Sequence, residues 1–285
     1  MTIAIIGAGN MGGAIARGLI HSAYCRPEDI ICTAKTDATL EKLRTSLPAL
    51  RVTKNNTEAT SQADIIILAV KPWLIGEVID EIRPALKLKQ QLIVSVAAGV
   101  FCQELVEHII PDYQDYERAR WIALAENREP NLPDTFVEPA LFRVIPNTAV
   151  EILEGVTFIA QRGATTEQTE TIRQLFAVLG YAVVIEEKLI PAGTALASCG
   201  IAFAMRYIRA AMEGGIELGF RPDEAARIVE HTVKGAAALL LKNGTHPEVE
   251  IDKVTTAGGI TIKGLNTMEQ EGFTAAVIAG LKASK

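Results

Sequence analysis

The chain opens with Met1-Thr2-Ile3-Ala4-Ile5-Ile6-Gly7-Ala8-Gly9-Asn10-Met11-Gly12-Gly13, and this stretch decides the fold. The apolar run 3–6 reads as a strand buried on both faces. It stops at Gly7, and Gly9 and Gly12 complete the spacing Gly-x-Gly-x-x-Gly. A helical pattern follows at once through Ile15, Leu19 and Ile20. Strand, glycine turn and helix in immediate succession form a dinucleotide-binding fingerprint. Gly7 allows the tight turn, Gly9 lets a pyrophosphate approach the backbone, and Gly12 lets the helix pack close to the strand. The helix N-terminus then faces the phosphates with free N–H groups.

Strand and helix patterns alternate downstream. Strand-like runs lie at 30–33, 64–70, 92–96, 142–145, 156–160 and 181–185. Helical stretches between them include 39–46, 74–82, 102–110 and 166–179. Asp64-Ile65-Ile66-Ile67-Leu68-Ala69-Val70 is continuous and β-branched, as suits a central parallel strand. Such alternation implies an α/β fold with a doubly wound parallel sheet and right-handed crossovers, here over residues 1–187. After Glu186-Glu187-Lys188 the strand signals disappear, and 194–218, 222–243 and 261–282 read as helices. Pro222 with Asp223 and Glu224 suits a first helical turn, and Asn243-Gly244 a stop. A second, all-helical domain is therefore expected over 188–285. It is apolar enough for its size that one face is expected against a partner subunit. Between 111 and 140 the regularity breaks into a polar, acidic stretch interleaved with aromatics, read as a surface excursion with one short helix near 117–126.

Composition narrows the class. The 285 residues are 49% hydrophobic and 22% charged, with net charge −6 and no basic stripe, which argues against a nucleic-acid partner. Cys25, Cys32, Cys102 and Cys199 stand far apart and read as small apolar residues of a reducing compartment. His21, His108, His231 and His246 are equally scattered, so no metal site is expected. No basic segment precedes an apolar one at the start, and no uninterrupted apolar run reaches membrane-spanning length. The expectation is a cytoplasmic protein that meets neither membrane nor nucleic acid.

Three stretches carry candidate chemistry. Thr33-Ala34-Lys35-Thr36 follows the second strand, where an acid usually holds the ribose hydroxyls of NADH. That acid is missing and Lys35 offers an ammonium, so NADPH is favoured; Asp37 lies close enough in sequence to keep NADH open. Ala69-Val70-Lys71-Pro72 and Ala97-Ala98-Gly99 leave the carboxyl ends of two strands and should form the rest of the cleft. For Lys71 a catalytic and a structural reading weigh equally. Finally, Val254-Thr255-Thr256-Ala257-Gly258-Gly259-Ile260-Thr261 runs through a Gly-Gly pair into a helix beginning near Thr261. Free N–H groups and hydroxyls there suit a carboxylate, although an ordinary helix start has the same appearance.

Taken together these motifs resemble the pyrroline-5-carboxylate reductase family over nearly the whole chain. The resemblance rests on Gly7-Ala8-Gly9-Asn10-Met11-Gly12, Ala69-Val70-Lys71-Pro72, Arg143-Val144-Ile145-Pro146-Asn147-Thr148 and above all Thr255-Thr256-Ala257-Gly258-Gly259-Ile260-Thr261, with Gly264-Leu265 and Glu269 behind it. It implies a Rossmann domain, an interlocking helical dimerisation domain, and NAD(P)H as hydride donor to a cyclic imine that bears a carboxylate. Asn10 and Met11 would join the phosphate loop, and Asn56 would contact the adenosine part of the cofactor. Thr256 with the backbone of Gly258, Gly259, Ile260 and Thr261 would hold the substrate carboxylate and ring nitrogen. Thr261, nearest that nitrogen, is the candidate catalytic residue. One run departs from the family: its Ser-Gly-Ser-Gly-Pro-Ala-Tyr is replaced by Ala197-Ser198-Cys199-Gly200-Ile201-Ala202-Phe203. That change keeps other readings open: another imine, a β-hydroxy acid, or a cofactor-binding paralogue without turnover.

Overall fold

The computed structural model describes residues 1–129 and 136–285. Two compact units emerge, Met1–Gly193 and Thr194–Lys285.

In the first unit the described residues form an eight-stranded sheet in the order β3-β2-β1-β4-β5-β6-β7-β8. Its strands are β1 (Ile3–Ile6), β2 (Ile30–Thr33), β3 (Arg51–Thr53), β4 (Ile65–Leu68), β5 (Leu92–Ser95), β6 (Ala140–Pro146), β7 (Gly155–Arg162) and β8 (Gly180–Val184). Between them lie α1 (Asn10–His21), α2 (Asp37–Ser46), α3 (Asn56–Ser61), α4 (Ile75–Ile82), α5 (Cys102–Ile109), α6 (Tyr113–Ala125) and α7 (Thr166–Ala177). Period-two alternation divides the core into two layers. Ile3 and Ile5 of β1 and Ile65 and Ile67 of β4 pack with Ile15 and Leu19 of α1 and Ile172 and Phe176 of α7. Ala4, Ile6, Ile66 and Leu68 face Ile75 and Ile79 of α4 and Leu105 and Val106 of α5. Sequential strands leave β1 in opposite directions, so β1 and β4 meet at the topological switch point.

The doubly wound parallel sheet contains one step of the other sense. β7 runs antiparallel to β6, from Leu141↔Arg162 to Pro146↔Thr157. The connection is too short for a helical crossover. It is held by Asn147, whose Oδ1 accepts hydrogen bonds from Ala149 N and Val156 N, both at 3.2 Å. β3 and α3 lay outside the strand and helix runs read from the sequence. β3 is a three-residue edge strand with no buried side chain, which leaves no periodic apolar signal.

The 111–140 excursion is fastened to the sheet where it is described; its residues 130–135 lie outside the described residues. Its helix, α6, begins earlier than the 117–126 reading, because the fully buried Tyr113 starts it. Tyr113 donates to Glu117 Oε1 at 2.8 Å, and Arg162 of β7 donates to the Tyr113 hydroxyl and, at 2.9 Å, to Gln103 Oε1. Cys32 and Cys102 match the reading of cysteines as apolar residues: burial pushes both thiols up to about 12.

A single helical turn, α8 (Ile190–Gly193), closes the first unit, and a π-helical turn, Thr194–Cys199, opens the second. The second unit continues with α9 (Gly200–Glu217), α10 (Pro222–Asn243), α11 (Pro247–Lys253), α12 (Ile260–Gln270) and α13 (Phe273–Ala283). Pro222 opens α10 and Gly244, at φ +62°, ends it, as the sequence suggests. The single helix expected over 261–282 is two, because Gly272 at φ +83° breaks it. Only Ala195 and Ala225 are buried among the described residues of this unit. The helical run Glu187–Glu217, 31 residues with a mean hydropathy of 1.4 in its most apolar window, is long and apolar enough to cross a membrane. Scattered polar residues interrupt it, so no single apolar stretch reveals it.

Phe142 is fully buried at the centre of the first core layer. Phe142→Ala should destabilise the protein by about 3–5 kcal/mol. Urea unfolding at fixed protein concentration measures this; a loss below about 1 kcal/mol would contradict the packing described.

Candidate functional site

A cavity of about 800 Å³ opens at the carboxyl ends of β1, β2, β4 and β5, where the switch point places a ligand. Its floor is the glycine turn. Gly7 adopts φ +87°, and a Cβ there would lie 2.5 Å from Val70 Cγ1. In this conformation Gly7 N donates to Thr33 Oγ1 at 3.1 Å and Ala8 N donates to Thr33 O at 2.7 Å. Thr33 thus fastens the end of β1 to the end of β2. Gly12 lies beneath the turn; its Cβ would meet Gly7 O at 2.9 Å, Ala69 Cβ at 3.0 Å and Ile5 Cγ2 at 3.1 Å. Gly9 differs from both, with nothing within 4 Å of its absent Cβ and a place in the cavity wall. It is also the N-cap of α1, which has no capping side chain and no acid in its first turn. The free N–H groups and the positive end of the helix dipole therefore face a space that admits an anion.

The other predicted cofactor residues divide as follows. Asn10, Met11, Lys35, Asn56, Ala69, Val70, Lys71, Pro72, Ala97 and Ala98 all line the cavity. Gly12 and Gly99 do not: Gly12 supports the turn from below, and Gly99, at φ +85°, bends the chain just past the lining. Asn56 begins α3 and its Nδ2 donates to Glu81 Oε2 at 2.8 Å. Thr36 is the N-cap of α2, and its hydroxyl lies 2.9 Å from that of Thr39.

Sequence reasoning missed Thr39, Lys54, Glu77 and Glu81, which also line the cavity. Lys54 follows the quiet strand β3, and both glutamates belong to α4, whose apolar face gives no hint of what its polar face meets. Lys54 Nζ is paired with Asp37 Oδ2 at 2.8 Å. That hydrogen bond holds the Asp37 carboxyl below the usual range. Asp37, the acid that could have served a ribose, is therefore engaged outside the lining.

The substrate candidates lie together in the second unit. Gly258 turns at φ +73°, Gly259 N donates to Thr256 O at 2.9 Å, and Gly259 is the N-cap of α12 with no capping side chain. A Cβ on Gly259 would lie 2.7 Å from Thr256 Oγ1, so the hydroxyl sits directly over the turn. Ile260 and Thr261 open the helix and both are exposed. Thr256 and Thr261 hydroxyls thus accompany an uncapped helix N-terminus, a donor set suited to a carboxylate. The divergent 197–203 run spans the π turn and the start of α9. Among the described residues no group of three His, Cys, Asp or Glu side chains gathers as a metal site would require.

Comparison with known proteins yields concordant matches. The family described as "Pyrroline-5-carboxylate reductase dimerisation" matches residues 187–285, and "NADP oxidoreductase coenzyme F420-dependent" matches residues 2–99. Pyrroline-5-carboxylate reductase 2 of Dictyostelium discoideum is 35% identical over 99% of this chain and 90% of its own length. Pyrroline-5-carboxylate reductase 1 of the same organism is also 35% identical, and the chain spans about half of it, 48%. A crystal structure of Plasmodium falciparum pyrroline carboxylate reductase with NADP bound superposes with TM-score 0.78 at 23% identity, covering 100% of this chain and 95% of that one.

Gly12→Val should lower affinity for a nicotinamide dinucleotide at least about tenfold, because the branched side chain forces α1 away from the turn. Cofactor titration by fluorescence, with circular dichroism to confirm the fold, checks this. Unchanged affinity would remove the glycine turn from the site.

Proposed function

The chain belongs to the pyrroline-5-carboxylate reductase family, and we propose that it reduces 1-pyrroline-5-carboxylate to L-proline with NADPH as the preferred hydride donor. The single observation that carries this reading is the glycine-floored cavity at the switch point, in a chain whose other unit offers an uncapped, hydroxyl-lined helix start to a carboxylate. The cavity fits a dinucleotide: Gly9 leaves room for a pyrophosphate, and α1 supplies free N–H groups. Lys35, with no ion-pair or hydrogen-bond partner among the described residues, supports the choice of NADPH.

The chemistry needs little acid–base machinery. When bound, the reduced nicotinamide supplies a hydride for the imine carbon. The protein's own task is orientation. The free backbone N–H groups of Ile260 and Thr261 at the start of α12 and the Thr256 hydroxyl hold the carboxylate. Thr261 Oγ1 accepts a hydrogen bond from the iminium N–H and keeps the ring in register; hydride addition to the adjacent carbon leaves that proton on the nitrogen. No side chain has to act as nucleophile. Lys71, at the end of β4, lines the cavity and serves cofactor binding.

The helical unit acts as a dimerisation domain. Phe203, Met205, Tyr207, Ile228, Leu239, Phe273 and Ile278 are all substantially exposed in the single chain. Ordered helices with two buried alanines cannot offset their conformational entropy alone. A second copy covers these faces, and that burial, rather than a bilayer, also accounts for the apolar run Glu187–Glu217. The protein acts in the cytoplasm, as a soluble enzyme of this type would. A second reading, a related cyclic imino acid as substrate, is favoured by the altered 197–203 run, which has lost the family's proline and tyrosine hydroxyl.

Following NADPH absorbance with 1-pyrroline-5-carboxylate against a panel of cyclic imines separates the two readings. Thr261→Ala should lower kcat at least about tenfold while the Kd for NADPH changes less than about twofold; unchanged turnover would defeat the assignment. Ile228→Glu should place a charge in the subunit interface and yield monomers in sedimentation equilibrium. A dimer that persists at micromolar concentration would exclude this face.

A further inference from the structure

Lys54 is absent from every motif that carries the family resemblance, yet it lines the cofactor cavity. Its position follows from register. β2 and β3 are parallel, with Thr33 opposite Thr53, so Ala34-Lys35 and Lys54 leave neighbouring strands at the same edge. Thr36 and Thr39 line the cavity beside them. Three features therefore converge at one edge: two ammonium groups, two hydroxyls and the N-terminus of α2. The two cations differ in state. Lys35 has no partner among the described residues, whereas Lys54 is held by Asp37 at 2.8 Å. The Lys54–Asp37 side chains are 52% and 87% exposed, so water and salt screen the pair and little opposes its exchange. Glu77 and Glu81 also line the cavity, but Glu81 is engaged by Asn56 Nδ2, and neither glutamate bonds either lysine.

We propose that Lys54 is a specificity-determining residue for the cofactor: it exchanges its Asp37 partner for the 2′-phosphate of an NADP-type dinucleotide and closes on that phosphate together with Lys35. The inference rests on the reading of this cavity as a nicotinamide-cofactor site, and it adds a mechanism for discrimination. A dianionic phosphate competes with a single carboxylate for the ammonium and gains charge-assisted bonds from two lysines and the threonine hydroxyls. A ribose 2′-hydroxyl offers no charge, so Lys54 stays with Asp37. Asp37 thereby sets the threshold for entry of the phosphate, and removing it should improve binding of the phosphorylated cofactor. The exchange moves no covalent bond and needs no other reactant.

The test compares direct binding of adenosine 2′,5′-bisphosphate and AMP, and of NADPH and NADH, to the intact protein and its variants. Lys54→Met should reduce the bisphosphate-to-AMP affinity ratio about five- to tenfold, with Lys54→Arg restoring most of it. Asp37→Asn should raise the ratio about twofold or more, and in the Lys54→Met background Asp37→Asn should change nothing. Loss of that dependence, or a ratio unaffected by Lys54→Met, overturns the proposal. A parent protein that prefers NADPH while Lys54→Met leaves the preference intact and Lys35→Ala abolishes it overturns the role of Lys54 alone. A parent protein without any preference overturns the NADPH reading and this inference together.

Discussion

The close approach of β1, α1 and β4 around Gly7 and Gly12 is the constraint on which the first unit depends. Three backbones meet where a single methyl would overlap Val70 on one side and Ala69, Ile5 and the Gly7 carbonyl on the other. Because both glycines lack that methyl, α1 starts directly at the sheet edge and points its unsatisfied N–H groups into the cavity. Thr33 completes the arrangement by binding the Gly7 and Ala8 amides, so the turn is fastened to β2 as well. Around this fixed point the other lining residues need only leave neighbouring strand ends. The switch in strand order between β1 and β4 guarantees that their loops diverge and leave a cleft.

The second unit answers to a different constraint. Its helices are well begun and ended, with Pro222 and Gly244 bounding α10, yet they bury almost no side chain within the chain. Helix propensity alone does not hold such segments. Their apolar faces form an incomplete core, in a stretch that matches a family model for dimerisation. Oligomerisation is on this view part of folding, and subunit concentration enters the stability of the protein directly.

Legibility followed burial. β1, β2, β4 and β5 are covered on both faces, so they read as unbroken apolar runs. β3 escaped because an exposed edge strand needs no apolar residues, and with it went Lys54. β7 was read as a strand at 156–160, but its antiparallel sense escaped because strand direction is not written in periodicity; it follows from a short connection and from Asn147 capping two amides. The break between α12 and α13 was marked by Gly272, but its neighbours kept a helical pattern through it. The start of α6 was set by Tyr113, whose ring is buried against α5 and whose hydroxyl is bonded by Arg162 from a distant strand.

From the amino-acid order alone came the alternation of strands and helices, the glycine turn, the hydroxyl-rich helix start at 256–261 and the family. These are local properties, since spacing and residue type act within a few positions along the chain. Only the tertiary structure decided which charged groups meet in and beside the cavity. Asp37 and Lys54, 17 positions apart, pair because β2 and β3 lie in register, and Glu81 meets Asn56 because α3 and α4 pack together. Such pairings depend on distance through space, and no pattern along the chain encodes that distance until the sheet has closed.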